Sequence, residues 1–141
     1  MSNLSRTELV QELNRLFAEE LEAALRYLHL SHAVRGIHHL TVGPLLTKGF
    51  QETIAHAEVL AHKIRSLGAV PSLQLNVALP GATVDAKEAL EMALTVEDAA
   101  LEAYQDALRR VEGDIPLEEF IRSQIALESE HVAELRQLLI E

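Results

Sequence analysis

The sequence predicts an all-α fold, an antiparallel four-helix bundle with one long crossover between its second and third helices. Three observations carry that prediction. Of the 141 residues, 48% are apolar and only 4% aromatic, and Ala, Leu and Glu dominate, a composition that suits helices better than sheets. Four stretches repeat apolar residues at alternating steps of three and four, each bounded by capping or breaking residues. A single longer stretch with two prolines and a glycine divides them into two halves. A chain of this length is read as one domain, 1–141, large enough to bury a core.

Ser5-Arg6-Thr7-Glu8 reads as a capping box, with Leu4 and Leu9 placed as a hydrophobic staple, so the first helix starts there. It runs to about Arg35, where Gly36 can end it. Its seam is Leu9, Leu13, Phe17, Glu20, Ala24 and Tyr27, with Glu19 and Glu22 on the polar side. Residues 37–43 read as a turn, and Pro44 is placed in the first turn of the second helix, where its missing N–H has no cost. The second seam is Leu46, Phe50, Thr53, Ala57, Leu60, Ile64 and Leu67, with His56 three residues after Thr53; Gly68 and Pro71 stop it. Gly49 weakens this helix by up to roughly 1 kcal/mol relative to Ala.

Residues 69–83 include the alternating run Leu73-Gln74-Leu75-Asn76-Val77. Alone it reads as a strand, but no second strand exists to pair with it, and an extended crossover between two helical hairpins fits better. Asp85-Ala86-Lys87-Glu88 opens the third helix and Gly113 closes it. Its seam is Leu90, Leu94, Glu97, Leu101, Tyr104, Leu108 and Val111. Asp114 caps the fourth helix, with Pro116 in its first turn and the seam Leu117, Ile121, Gln124, Glu128, His131, Leu135 and Leu138.

Each seam is interrupted by a group that resists burial. A carboxylate among leucines is costly unless it is paired or holds a metal. The halves echo each other: Tyr27 follows Glu20 by seven residues, as Tyr104 follows Glu97, while the second and fourth helices carry His56 and His131. Mid-helix positions in a bundle fall at similar heights, so Glu20, His56, Glu97, Glu128 and His131 converge. Such oxygen and nitrogen donors suit iron or manganese and tolerate zinc, and a bound cation offsets the burial cost. The alternative is a structural polar network with a protonated His131 paired to carboxylates.

Composition excludes several functions. With 12 basic against 22 acidic residues and a net charge of −10, there is no basic patch for nucleic acid or an anionic membrane. The chain has no cysteine, which excludes disulfides, thiolate zinc sites and iron–sulfur clusters. The start, Met1-Ser2-Asn3-Leu4-Ser5, lacks a basic region followed by an apolar run, and no stretch reaches membrane-spanning length, so the expected location is cytoplasmic. His29, His32, His38 and His39 read as surface or interface residues, and Glu58 with His62 as an exposed i,i+4 pair.

From Glu20-Leu21-Glu22-Ala23-Ala24-Leu25-Arg26-Tyr27, through His56-Ala57-Glu58 and Gly68-Ala69-Val70-Pro71, to Glu128-Ser129-Glu130-His131, the chain resembles the bacterioferritin and rubrerythrin branch of the ferritin-like superfamily. In such di-metal bundles two helices each give a Glu and the other two a Glu-x-x-His. The resemblance implies Glu20 and Glu97 as terminal ligands, Glu128 as a bridging carboxylate, His56 and His131 as imidazole ligands, and Tyr27 and Tyr104 as hydrogen-bond partners of ligand carboxylates. It implies one or two iron ions, with manganese or zinc as alternatives, and oxidation of Fe(II) by oxygen or peroxide in iron handling or oxidative-stress defence, a ferroxidase or peroxidase-type oxidoreductase.

The chain departs from that pattern at Thr53, where the second bridging Glu belongs; the second Glu-x-x-His is degenerate. Glu52, adjacent to it and four residues before His56, could still approach a metal, although it points about 100° away around the helix. The position of the haem-binding Met of bacterioferritin matches Ile54, and the only internal Met is Met92, so haem is not expected. The cysteine-rich domain of rubrerythrin is absent, and the chain ends at Glu141 without the short fifth helix of large cages. A homodimer is therefore expected at least as much as a larger homo-oligomer. The competing reading is a non-catalytic oligomerisation or binding protein on a degenerate ferritin-like scaffold.

Overall fold

A computed structural model describes residues 4–140. Met1-Ser2-Asn3, read above for the lack of a leader, and Glu141, read as the chain end, lie outside the described residues. Four helices are present among those described: α1 Arg6–Ala33, α2 His39–Ser66, α3 Ala86–Arg110 and α4 Ile115–Leu138. The predicted caps are in place. Ser5 and Glu8 form a reciprocal capping box on α1, Asp85 accepts the Glu88 N–H at α3, and Asp114 accepts the Leu117 N–H at α4. Gly68 and Gly113 take positive φ past the ends of α2 and α3, the backbone state in which a Cβ is penalised.

Two boundaries differ from the sequence reading. α1 stops at Ala33 because Val34 leaves the helix to form an isolated parallel bridge with Val84, closed by Val84 N–H to Ala33 C=O and Arg35 N–H to Val84 C=O, both 2.9 Å. α2 starts at His39, so Pro44 lies inside it rather than in its first turn. The turn before it winds directly into the helix, with His39 N–H to Gly36 C=O and Val42 N–H to His38 C=O. Proline is compatible with helical φ, and it removes only the bond to the carbonyl of Leu40, a residue exposed to solvent.

The crossover forms no strand at 73–77. It follows α1 instead: Ser72 N–H donates to Asn14 Oδ1 at 2.9 Å, Asn76 N–H to Glu22 Oε1 at 2.7 Å, and the Val84 bridge lies at the far end of the helix. This route carries the chain the length of the bundle and sets α3 antiparallel to α1. α1 packs on α2 and α3, and α3 on α4, whereas no Cα of α2 comes within 8 Å of one in α4.

The third seam holds at Leu90, Glu97, Tyr104 and Val111, whereas Ala93, Ala100 and Ala107 take the inward places expected for Leu94, Leu101 and Leu108, which flank it half-buried. At the fourth helix Leu138 is exposed and Val132 takes an inward place. The apolar core divides into two clusters. One centres on Leu13, Leu16, Leu60, Ile64 and Ile121, the other on Leu30, Leu46, Ala93 and Leu135. The polar residues of all four seams lie between them.

Candidate metal centre

Helical geometry brings the five predicted ligands into one layer. Glu20 is 1% exposed, Glu128 2% and Glu97 5%, with the two histidines half-buried beside them. Two donor groups result, Glu20–His56–Glu128 and Glu97–Glu128–His131, with the donor atoms of each within 4.8 Å of one another. Glu128 belongs to both. His56 Nδ1 lies 3.1 Å from Glu20 Oε2 and 3.5 Å from Glu128 Oε1, and His131 Nδ1 lies 3.7 Å from both Glu97 Oε1 and Glu128 Oε2. The shared carboxylate thus sits between two imidazoles, one oxygen toward each.

The tyrosines differ from one another. Tyr27 donates its hydroxyl hydrogen to Glu97 Oε1. Tyr104 lies beside Glu20 and Glu128, but its buried hydroxyl has no hydrogen-bond partner among the described residues. The predicted tyrosine–carboxylate bond is therefore made by Tyr27 and not by Tyr104. Gly49 explains part of the difference. A Cβ there would stand 2.5–2.8 Å from three atoms of the Tyr27 ring, so only glycine lets this ring lie flat against α2. What reads in sequence as a weak point of a helix is the floor under Tyr27.

Thr53 is buried and donates its hydroxyl to the Gly49 carbonyl at 2.7 Å. It offers the centre no charge. Glu52 was not among the predicted ligands, yet its Oε2 lies 3.1 Å from His131 Nε2 across the space between α2 and α4. The signal was the one-step offset around the helix, which is small enough for a flexible Glu to span. A cavity of about 280 Å3 opens there, bordered by Tyr27, Glu52, Glu97 and His131 on its inner side and Lys48, Glu130 and Glu134 toward solvent.

Sequence reasoning also missed Glu12, buried beneath Arg15 and Arg110; it lies two turns before Glu20 and pairs with cations instead of joining the centre. Glu19 and Glu22, expected on a solvated face, are half-buried beneath the crossover. Of the four histidines read as surface residues, His32 and His38 are exposed, while His29 and His39 are half-buried. His39 is bound through Nε2 to the Ser31 carbonyl at 3.0 Å, fastening α2 to the end of α1. Glu58 and His62 form the expected exposed pair.

Without a cation the cluster stores protons. Burial, resisted by the His56 hydrogen bond, lifts Glu20 from 4.5 to about 7, and burial likewise lifts Glu97 to about 7. Burial would depress His56, but the Glu128 and Glu20 carboxylates facing it raise it to about 9. The facing carboxylates of Glu128 and Glu97 raise His131 to about 10. Burial pushes Glu128 upward too, yet the two histidines outweigh it and hold its carboxyl well below the usual range. The donor set fits a divalent cation: Glu128 Oε2 is buried without a hydrogen-bond partner among the described residues, and imidazole with carboxylate is the chemistry that iron, manganese and zinc accept.

A four-helix bundle with one long crossover and a layer of carboxylates and histidines between two apolar clusters defines a ferritin-like protein. The chain belongs to the ferritin-like domain family, which it matches over residues 10–141. Among solved structures it is similar to a ferritin-like diiron-carboxylate protein from Bacillus anthracis str. Ames, with 29% identity over 99% of this chain and 100% of that one and a TM-score of 0.84. It is also similar to a bacterioferritin-related dodecameric thioferritin from Bacteroides fragilis, with 24% identity, 96% and 86% coverage and a TM-score of 0.84. A Dps protein from Vibrio cholerae O1 shares the fold at 15% identity, 96% and 91% coverage and a TM-score of 0.85. No curated protein matches the chain.

Two expectations follow. Gly49→Ala gains helix propensity but drives a methyl into the Tyr27 ring, so it is expected to destabilise the protein by about 1–3 kcal/mol, the usual cost of overpacking, in urea denaturation. The second concerns pH. Glu20, Glu97, His56 and His131 all bind protons more tightly folded than unfolded, so their contribution is complete below the unfolded values and lost as pH rises, through about 7 for the carboxyls and about 9 to 10 for the imidazoles. Glu128 runs oppositely, contributing above 4.5 and losing that contribution as pH falls through its depressed value. The metal-free protein should be most stable at about pH 4 to 5, where Glu128 is ionised and the other groups still hold their protons, and lose on the order of several kcal/mol by about pH 10, read by urea midpoints across that range.

Proposed function

We propose that the protein binds iron between its four helices and oxidises Fe(II) with oxygen or peroxide, serving iron handling or oxidative-stress defence. The observation that carries this reading is the pair of three-donor groups sharing Glu128. Glu20 and His56 would hold one ion, Glu97 and His131 a second, and Glu128 both. The bound Fe(II) would supply the electrons that reduce the oxidant. The residues contribute position and charge: three carboxylates offset the cations, Tyr27 restrains Glu97, and the apolar clusters keep bulk water from the layer. The cavity between α2 and α4 is the route by which ion and oxidant would reach it. Membership of the ferritin-like family supports the reading, as does the similarity to the Bacillus anthracis diiron-carboxylate protein. Manganese or zinc remain chemically acceptable to the same donors.

The working form is proposed to be a single-domain subunit in a homo-oligomer. Apolar side chains at Leu28, Ile54, Val59 and Leu127 are exposed on three helices and suit burial against further copies. No helix among the described residues is long and apolar enough to cross a membrane, which suits the cytoplasmic location expected from sequence. A second reading, a non-catalytic oligomerising bundle, draws on Thr53 and on the ion pairs the layer makes without metal.

Fe(II) added aerobically, with oxidation followed by absorbance, separates the readings. The native protein should oxidise Fe(II) well above the rate in buffer, and Glu128→Ala, which removes a donor from both groups, should fall by a hundredfold or more; equal rates would leave the non-catalytic reading standing. Thr53→Glu should strengthen metal binding while destabilising the metal-free protein by about 1–3 kcal/mol, because it buries a further carboxylate. Calorimetric titration with zinc and thermal denaturation with and without metal check both halves, and unchanged affinity would place position 53 outside the coordination sphere.

A further inference from the structure

We propose that Glu52 acts as the outer partner of His131, accepting the Nε2–H so that Nδ1 is free to hold a cation; Glu52 thus serves α2 as a positioning residue in place of the ligand missing at position 53. This rests on the metal-binding reading above. The two nitrogens lie on opposite edges of the imidazole. Nδ1 faces Glu97 Oε1 and Glu128 Oε2, each 3.7 Å away, while Nε2 faces Glu52 Oε2 at 3.1 Å. A cation placed among Nδ1, Glu97 and Glu128 therefore lies across the ring from this Glu52 oxygen. In neutral imidazole the nitrogen that binds metal carries no proton and the other must, so Glu52 selects the tautomer by accepting that proton in a hydrogen bond.

The neighbouring residues fit this division of labour. Thr53 gives its hydroxyl to the Gly49 carbonyl and has nothing directed at the ring. The other Glu52 oxygen, Oε1, lies 3.7 Å from Lys48 Nζ, one turn earlier on α2. Lys48, Glu52 and His131 thus form a polar chain that runs from the mouth of the cavity to the buried carboxylates. Glu52 comes from α2 and His131 from α4, helices whose backbones stay more than 8 Å apart and meet only through side chains. This contact ties them across the opening.

Co(II), whose visible spectrum reports its ligands, tests the assignment in the full chain with Glu52→Ala and Glu52→Gln. Glu52→Ala should bind as many ions per chain as the native protein, with one of them weakened about 10–100-fold, as is usual for loss of a metal-ligand's hydrogen-bond partner. Glu52→Gln keeps an acceptor oxygen and should recover much of that loss, with a visible spectrum unchanged from native. In proton spectra of the Co(II) protein, the exchangeable ring N–H of His131 should be visible in native and Gln forms and lost to solvent exchange in the Ala form. Loss of one bound ion with a changed spectrum in Glu52→Gln would make Glu52 a ligand and overturn the assignment. Native affinity and an unaltered N–H signal in Glu52→Ala would overturn it as well, leaving metal binding intact. No Co(II) binding by the native chain would overturn the metal-binding reading, and the role of Glu52 with it.

Discussion

A buried carboxylate between two imidazoles is the constraint on which this bundle is built. Glu128 is almost wholly removed from water, and leaving a carboxylate there without compensation would cost more than many leucines could offset. His56 from α2 and His131 from α4 face its two oxygens, and Glu20 from α1 and Glu97 from α3 face the histidines in turn. No one of these groups is satisfied by its own helix alone. The layer therefore specifies the register of all four helices, since sliding one by a turn, roughly 5.4 Å, would separate donors that now lie within 4 Å.

Packing around the layer is arranged to leave it room. The inward face of α3 is lined by four alanines, which let its backbone come close to its neighbours and leave Glu97 and Tyr104 as the bulky inward groups at the level of the layer. Across the bundle, the backbones of α2 and α4 stand apart, and at the level of the layer the space between them takes polar side chains, Glu52 and His131, beside a rim of leucines. Glycine serves the same end at one point on α2, where the Tyr27 ring lies against Gly49. Helix propensity is given up at that position in favour of a hydroxyl placed on Glu97. The apolar clusters above and below supply the burial, so the polar layer can be organised by its own charges.

Much of this is legible in the sequence, and the exceptions have physical causes. The caps at Ser5, Asp85 and Asp114 are local, short-range signals, and they hold. The five donors were readable because a charged residue on an apolar stripe violates periodicity, and five violations at matched heights point to one layer. The α3 seam holds at Leu90, Glu97, Tyr104 and Val111 and misses at Leu94, Leu101 and Leu108, because Leu and Ala both count as apolar and close helix packing prefers the alanines one position away. Pro44 misled because a prolyl ring is tolerated beyond the first turn when the carbonyl it orphans reaches water. Tyr104 could not be separated from Tyr27 by spacing, since both follow a seam Glu by seven residues; the difference depends on what lies across the bundle from each ring.

The loss of symmetry between the halves is itself informative. α1 and α3 keep a Glu and a Tyr each, but only the pair spanning both halves, Tyr27 to Glu97, is joined. α2 and α4 keep a His each, but only α4 keeps the Glu three residues before it. Thr53 satisfies itself on its own backbone, so the substitution leaves no orphaned group and removes a charge that burial would penalise. The layer without metal is then three buried carboxylates balanced by two histidines, with Glu52 reaching the outer edge of one of them. One carboxylate fewer lowers the cost of folding before any cation arrives, and a single shared carboxylate still joins the two donor groups. The same change that weakens the likeness to a symmetric di-metal bundle lowers the charge that this chain must bury at its centre when no metal is bound.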